Sequence, residues 1–530
     1  MPRLSHGATL SAQAVLDATA AIATNSADVP LAFVAATPVD LQDFDFLFPQ
    51  LQNNPNNLLP EARKTRDDLI RLGATMRETS NDASGDSKIP AAYTYFGQFV
   101  DHDVTLETTS ATADQLVHPD LVPLPVDEIR TRLRNLRNAT LDLDSVYGLP
   151  APRKGARMRL GTVSKLGGTA KPLLRPKKKD DNNDVPREGR SPDIEHDRAA
   201  LIGDPRNDEN TIIAQLQVAF LRAHNILIDQ GHTFRDARRI LRQHYQHIVI
   251  ADFLPRVCNP ALVKKIIAQG NRIYDAMAEP FFLPLEYAVA AYRFGHTMVR
   301  EDYDFNLNFN TSGAPGTTPA TLGLLFTFTA LSGDFNPVPG TTGTDTLPEN
   351  WIIEWENFVD TGKPFNTARR LDPKLVEPLF ALRTVTGAPE PGDKARLAVR
   401  NLLRGYLLRM PTGQAVAKAI RTKWDIPALT PAQVLEGAVS EEQAEVLRDS
   451  GFHKRTPLWF YILAEAAVLG RGQRLGPVGS ILVAEILIGL VRRSDDSILR
   501  TRGWKPTLPG VRPNKFELAD LLRFAKVLKT

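Results

Sequence analysis

Apolar residues recur at three- and four-residue intervals from Ile212 to Leu227 in "DENTIIAQLQVAFLRAHNILID", the spacing of one face of a long amphipathic helix. "LPLEYAVAAYRFGHTMVR" repeats the pattern, and "DKARLAVRNLLRGYLLRM" repeats it again until Pro411 stops it. "GSILVAEILIGLV" (Gly479 to Val491) is the longest apolar run; it carries Glu485, is too short to span a bilayer, and reads as a buried core helix. Strand-like alternation is scarce, with one short ribbon expected around "RMRLGTVSK". The pattern therefore predicts a mainly α fold with long irregular connections and few short strands.

Two stretches break the helical pattern. "RPKKKDDNNDVPREGRSPD" (175–193) is charged and rich in turn formers, and reads as a flexible solvated loop that includes the basic run Lys177, Lys178 and Lys179. "NTSGAPGTTPATLG" (310–323) reads as a loop of small residues. Neither separates two self-sufficient patterns. Residues 1–60 are expected to form an N-terminal arm and 61–530 one large domain, with the chemistry-bearing motifs in 96–405.

Composition narrows the function classes. Hydrophobic residues make up 42% of the 530, charged residues 24%, and the net charge of +3 gives no pull toward nucleic acid or an acidic membrane. Cys258 is the single cysteine, so no intramolecular disulfide is available. The first residues do not read as a Sec-type signal peptide, which implies a cytoplasmic location or export by a signal-less route. No coiled coil or pairing cysteine is visible, and a monomer is expected.

Candidate chemistry begins with "FGQFVDHD". On a helix, Gln98, Asp101 and His102 stand at i, i+3 and i+4 and share a face, while Asp103 is rotated toward a different partner. Alone, this is equally what a structural histidine beside an acid looks like. Arg206 and Glu209 lie three apart where the long helix opens, where a carboxylate also suits simple capping. His296 falls on a buried stripe with Tyr292 and Val299, with Arg293 one turn earlier. Asn401 interrupts the apolar stripe of Leu397 and Leu408, with Arg404 one turn on; a buried asparagine needs a definite hydrogen-bond partner.

The blocks "FGQFVDHD", "NATLDLDSVYG", "LIGDPRNDEN…FLRAHN", "YRFGHTMV" and "RNLLRG" resemble, in order, the animal-type haem peroxidase family of the peroxidase–cyclooxygenase superfamily. They run from Phe96 to Gly405. The resemblance implies a single large helical haem peroxidase domain, and the lack of a signal peptide and disulfides looks more like a bacterial member. It implies haem b as cofactor, His102 and Arg206 as the distal catalytic pair, and Gln98 as the amide that meets bound water or halide. His296 would be the iron ligand, hydrogen-bonded to Asn401 as acceptor, and Arg293 and Arg404 would meet the haem propionates. Asp101 and Glu209 match positions that form ester links to haem methyl groups, whereas Asn210 stands where a methionine makes a third link, so that bond is not available. "NATLDLDSVYG" resembles a calcium loop, with Asp103, Asn138, Thr140, Asp142 and Asp144 as oxygen ligands; Asn138 and Asp144 depart from the mammalian pattern.

These residue types suit the implied reaction. A neutral imidazole can carry a proton from the near to the far oxygen of hydrogen peroxide, and a guanidinium can stabilise charge on the departing oxygen. The expected activity is peroxide reduction through a Compound I intermediate, with oxidation of halides, pseudohalides or small aromatic donors. A haem fatty-acid dioxygenase of the same superfamily is the nearest alternative. Those enzymes carry a radical-forming tyrosine three residues before the proximal histidine, where this chain has Arg293; Tyr292 is one residue too early and is expected to point away. A non-catalytic haem-binding or adhesion domain is a further alternative. A non-haem metal site fails on spacing, and His244 and His247 are expected to face solvent and a helix neighbour.

Overall fold

Helices Ala92–Val104 and Thr211–Asp229 lie against one another through Phe99 and Phe220, whose buried rings stack 4.6 Å apart and 9° from parallel. In the computed structural model, residues 42–80, 82–107, 111–148, 153–165, 181–192, 196–311, 317–327, 345–383 and 388–528 are described. The run Lys177–Lys179 and most of the expected N-terminal arm lie outside them. The fold is mainly α, and its strands are two to five residues long.

A continuous hydrophobic core joins these helices to Leu397–Leu407, Leu458–Val468 and Pro477–Arg493. Helix Arg63–Thr75 crosses Leu397–Leu407 at Gly73, where an added Cβ would come within 2.8 Å of Val399 Cγ2. Glycine is what lets these two backbones approach. The run at 479–491 is the buried helix its pattern predicts, and Glu485 is anchored inside by Trp424 Nε1 at 2.8 Å and by the Arg272 N–H. Among the described residues, Thr211–Asp229 is long and apolar enough to cross a membrane, but 83% of its apolar window is buried in the core.

Three expectations about organisation need correction. Residues 42–59, the described part of the expected N-terminal arm, are integrated into the domain. Strand Gln42–Asp45 pairs parallel with Phe282–Pro284 and antiparallel with Arg134–Asn135, and Phe44, Phe46, Leu47 and Phe48 are buried. Nor is 175–193 solvated throughout: Asn183, Asp184 and Val185 are buried, and Arg187 is held between Asp184 and Asp208 at 2.6–2.9 Å. Its charges are paired inside, so composition alone misjudged their surroundings. His244 is 1% exposed, and its imidazole accepts the N–H groups of Thr507 and Leu508.

The helix predicted over "LPLEYAVAAYRFGHTMVR" forms with an altered pitch. A wide π turn, Glu286–Ala290, runs into a 3-10 helix, Ala291–Met298, with Ala290 breaking the register at φ −128° and ψ −66°. The Glu286 carboxylate pins the start of this segment by accepting the N–H groups of Leu47 and Phe48 at 2.7 and 3.1 Å. In a 3-10 helix side chains three apart eclipse, which aligns Arg293 with His296.

Candidate active site

A cavity of about 250 Å³ lies where helix Ala92–Val104, the turn at 205–210, the segment 291–299 and helix Leu397–Leu407 meet. Gln98, Asp101 and His102 line it, as their helical spacing predicts. So do Arg206, Glu209, Asn210, Arg293, His296, Asn401 and Arg404. Arg206 and Glu209 do not sit on the long helix. They belong to the 3-10 turn Pro205–Asp208 and its C-cap, and Asn210 is the helix cap, accepting the Ile213 N–H at 3.0 Å. Glu209 is therefore not spent on capping; it accepts a hydrogen bond from Gln98 Nε2, whose Oε1 faces Asn210 Nδ2 at 3.3 Å.

His102 is 4% exposed, and its Nδ1 lies 2.7 Å from Asn207 Oδ1. Asn207 Nδ2 donates to Gln217 Oε1 at 2.9 Å, and Gln217 Nε2 donates to the Ser145 carbonyl at 3.0 Å. A backbone carbonyl can only accept, so its position orients both amides and assigns the proton to His102 Nδ1. The Nε2 lone pair is left for the cavity. Burial, reinforced by Arg206, lowers the His102 pKa, which keeps the imidazole neutral at pH 7. Arg206 is fixed by Asp204, at 3.1 Å through Nε and 2.7 Å through Nη2, and by the carbonyls of His102 and Thr105. Although burial alone would raise it, Arg137 and Arg206 hold the Asp204 carboxyl well below the usual carboxylate range.

Across the same cavity lining, His296 Nδ1 and Asn401 Nδ2 are 2.9 Å apart. The pairing expected from sequence is present, but its polarity differs. Asn401 Oδ1 accepts from Arg293 Nη1 at 2.8 Å, so the amide presents its nitrogen to the histidine. Burial and then the neighbouring Arg404 push the Arg293 pKa down to about 10, and a guanidinium so placed takes the nearest oxygen. Arg404 is paired with Glu107. Arg293 meets the neutral oxygens of Asn401 and the Ala288 carbonyl, so this side of the cavity can take a ligand carboxylate.

Tyr292 also corrects an expectation: it lines the cavity, with its hydroxyl on the Gly97 carbonyl at 3.2 Å.

Asp103 turns away from the cavity toward residues 142–144. Leu143 adopts a left-handed conformation (φ 58°), and this turn aims its own N–H and that of Asp144 at the Asp103 carboxylate. Asp142 accepts from Ser494 Oγ at 2.6 Å and from Thr140. The loop is not extended: Thr140 N–H reaches the Asn138 carbonyl at 2.6 Å and Asp142 N–H the Thr140 carbonyl at 2.9 Å. Burial, then Asp144 and Asp142, push the Asp103 carboxyl up, and burial pushes Asp144 up to about 6. Among the described residues no group of three or more acidic, histidine or cysteine side chains is arranged to hold a metal ion.

The sequence pattern does not single out Asn207 and Asp204, which lie in a 3-10 turn and at its N-cap, or Glu107, which lies in an isolated bridge to Asn135; none has a periodicity to mark it. Gln217 had a usable signal. It is a fully buried amide on an apolar helix, the same feature that marks Asn401.

Residues 127–322 match the family model for animal haem peroxidase, a span that includes Arg206, Glu209 and His296. Over that span the chain is similar to an animal haem peroxidase domain. Among curated proteins it is similar to a peroxidase-like protein of Margaritifera margaritifera, 27% identical over 47% of this chain and 35% of that one. It is also similar to myeloperoxidase of Mus musculus, 24% identical over 52% and 45% respectively. The chain thus covers between a third and a half of the length of these relatives. Among solved structures, peroxidase A of Dictyostelium discoideum superposes with a TM-score of 0.54 at 15% identity, covering 89% of this chain and 90% of that one. Fatty acid alpha-dioxygenase of Oryza sativa superposes at 0.50 and 13%, covering 80% and 72%. At these identities the likeness is one of fold.

Proposed function

We propose that the protein is a haem-dependent peroxidase that reduces hydrogen peroxide and oxidises a halide, a pseudohalide or a small aromatic donor. The observation that carries this reading is that a single cavity holds His102, oriented with Nε2 free for chemistry, together with Arg206 and the His296–Asn401 pair. His296 would hold the iron through Nε2, which requires the Asn401 amide to present its oxygen to Nδ1–H in place of the nitrogen it presents here; Arg293 and Arg404 would face the propionates, and Asp101 and Glu209 are the carboxyls available for ester links. Haem, when bound, supplies the two electrons that peroxide reduction consumes.

The chain's own residues handle the protons. His102 Nε2 takes the proton from the near oxygen of peroxide and returns it to the far oxygen as the O–O bond opens. Arg206, immobilised by Asp204, stabilises negative charge on the departing oxygen without being able to deprotonate. Gln98, on the same helical face as His102, would bind water or halide with its remaining N–H. Calcium is proposed at Asp103, Asn138, Thr140, Asp142 and Asp144, where the buried carboxyls of Asp103 and Asp142 and the half-buried one of Asp144 repel one another.

The test is the optical spectrum of haem-loaded protein before and after hydrogen peroxide. A ferric Soret band that changes within milliseconds and is restored by bromide or a phenol supports the reading. A band unmoved by peroxide, or no haem binding in protein that folds, overturns it.

A second reading has one observation in its favour. Tyr292 lines the cavity, as a substrate-oxidising tyrosine of a fatty-acid dioxygenase must. Oxygen uptake driven by a long-chain fatty acid and lost in Tyr292→Phe would favour that reading over the peroxidase.

A further inference from the structure

A phenol gives up an electron at modest potential only when its proton leaves with it, so the acceptor of a tyrosine hydroxyl decides whether that tyrosine is redox-active. Three tyrosines line the cavity: Tyr93, Tyr95 and Tyr292. The Tyr292 hydroxyl donates to a backbone carbonyl, and that of Tyr95 to the Tyr303 hydroxyl at 3.1 Å. Neither acceptor is a base at neutral pH. The Tyr93 hydroxyl instead donates to Asp252 Oδ2 at 2.5 Å.

Asp252 is 3% exposed and lies outside the peroxide-handling residues. Its Oδ2 also accepts the Leu518 N–H at 2.9 Å, and its Oδ1 accepts Arg256 Nε at 2.6 Å. Burial raises its pKa against the pull of Arg256, which makes it a stronger proton acceptor than an ordinary carboxylate. The Arg256 guanidinium lies 4.4 Å from the Tyr93 ring centroid, and its side chain is 32% exposed. When the carboxylate is neutralised, the charge left on Arg256 meets solvent and not a sealed core.

We infer that Tyr93 is a redox-active tyrosine that donates one electron into the cavity while its hydroxyl proton passes to Asp252. In this step the phenolic O–H bond breaks, an O–H bond forms on the carboxylate, and the electron leaves the ring, giving a neutral phenoxyl radical and a neutral carboxylic acid. The oxidant is hydrogen peroxide acting through haem, so the inference rests on the peroxidase reading. An external reductant of the phenol class returns the electron, and Asp252 returns the proton. Tyr93 would thereby discharge oxidising equivalents from the cavity when no small donor occupies it.

Rapid-freeze electron paramagnetic resonance of the haem-loaded protein after mixing with peroxide tests this. A tyrosyl signal is expected that is lost in Tyr93→Phe and kept in Tyr95→Phe and Tyr292→Phe. In Asp252→Asn, which keeps an acceptor but removes the base, the signal should form more slowly. A tyrosyl signal that survives Tyr93→Phe overturns the inference, and so does unchanged formation in Asp252→Asn. The same variants are examined without haem by flash oxidation with a ruthenium polypyridyl complex. A Tyr93 radical seen there, slowed in deuterated solvent, but absent with peroxide, places the failure in the peroxidase reading. Absence of a Tyr93 radical under both oxidants overturns the pair itself.

Discussion

His102 Nδ1 and Asn207 Oδ1 meet at 2.7 Å, and the amides behind them run in one sense, through Gln217 to the Ser145 carbonyl. In the proposed reaction Asn207 would act without touching peroxide, by fixing which imidazole nitrogen is the base. Asn207→Ala should slow the peroxide-driven Soret change about 10- to 100-fold, the usual effect of losing such a supporting partner. His102→Ala should slow it more, about 10²- to 10⁴-fold. Stopped-flow rates for the two variants are the measurement, and an Asn207→Ala rate equal to the parent's would remove the amide chain from the mechanism.

Arg293 and Arg404 predict how haem is recognised. Each charge-assisted hydrogen bond to a carboxylate contributes about 1.5–3 kcal/mol, so with one such bond from each arginine haem should bind about 10²- to 10⁴-fold more tightly than its dimethyl ester. Arg404→Met with Glu107→Gln removes one guanidinium without leaving its half-buried carboxylate partner behind. That pair of changes should narrow the difference between haem and ester. Equal affinity for haem and ester in the parent protein would mean the arginines face something other than the propionates.

Periodicity made the distal wall legible, because Gln98, Asp101 and His102 sit on one regular helix and a 3.6-residue repeat places them together. It left the pairing of His296 with Asn401 to the family resemblance. It did not give the polarity of that pair, since Arg293 captures the asparagine oxygen through a pitch change at 286–298 that no local residue pattern announces. Asn207 was invisible for a related reason: it acts from a tight turn, where position carries no facial meaning. The burial of Asp184, Arg187 and His244 depends on partners far away in the chain, and local polarity reads such residues as solvated.

Asp103, Asp142 and Asp144 predict a cation dependence. Burial and mutual repulsion hold the Asp103 and Asp144 carboxyls up, so neutralising the cluster should stabilise the fold. Calcium should raise the unfolding temperature and EDTA should lower it, with a gain of about 2.7 kcal/mol when calcium stands a hundredfold above its Kd. Asp144→Asn should raise the calcium-free unfolding temperature and blunt the response to calcium. Thermal scans that are identical with calcium and with EDTA would leave the loop as a purely hydrogen-bonded turn.

His244 predicts how stability responds to acid. Its Nδ1–H donates to the Ile240 carbonyl at 2.7 Å, while Nε2 accepts from Thr507 and Leu508 at 2.9 and 3.0 Å. A proton on Nε2 would remove both acceptor contacts and detach the segment that packs Trp504 and Phe516 around the ring. Burial accordingly pushes the His244 pKa down to about 4, below the ordinary value of about 6.5. The unfolded chain binds this proton first, so the contribution is fully present above pH 6.5 and is lost as pH falls toward 4. Its full size is about 3 kcal/mol. Urea unfolding at pH 7 and pH 5 should show the loss, accompanied by faster proteolysis near residues 504–516 at the lower pH. In His244→Gln the protein should be weaker at pH 7 but should lose less between the two pH values; an equal loss in parent and variant would assign the acid sensitivity to other groups.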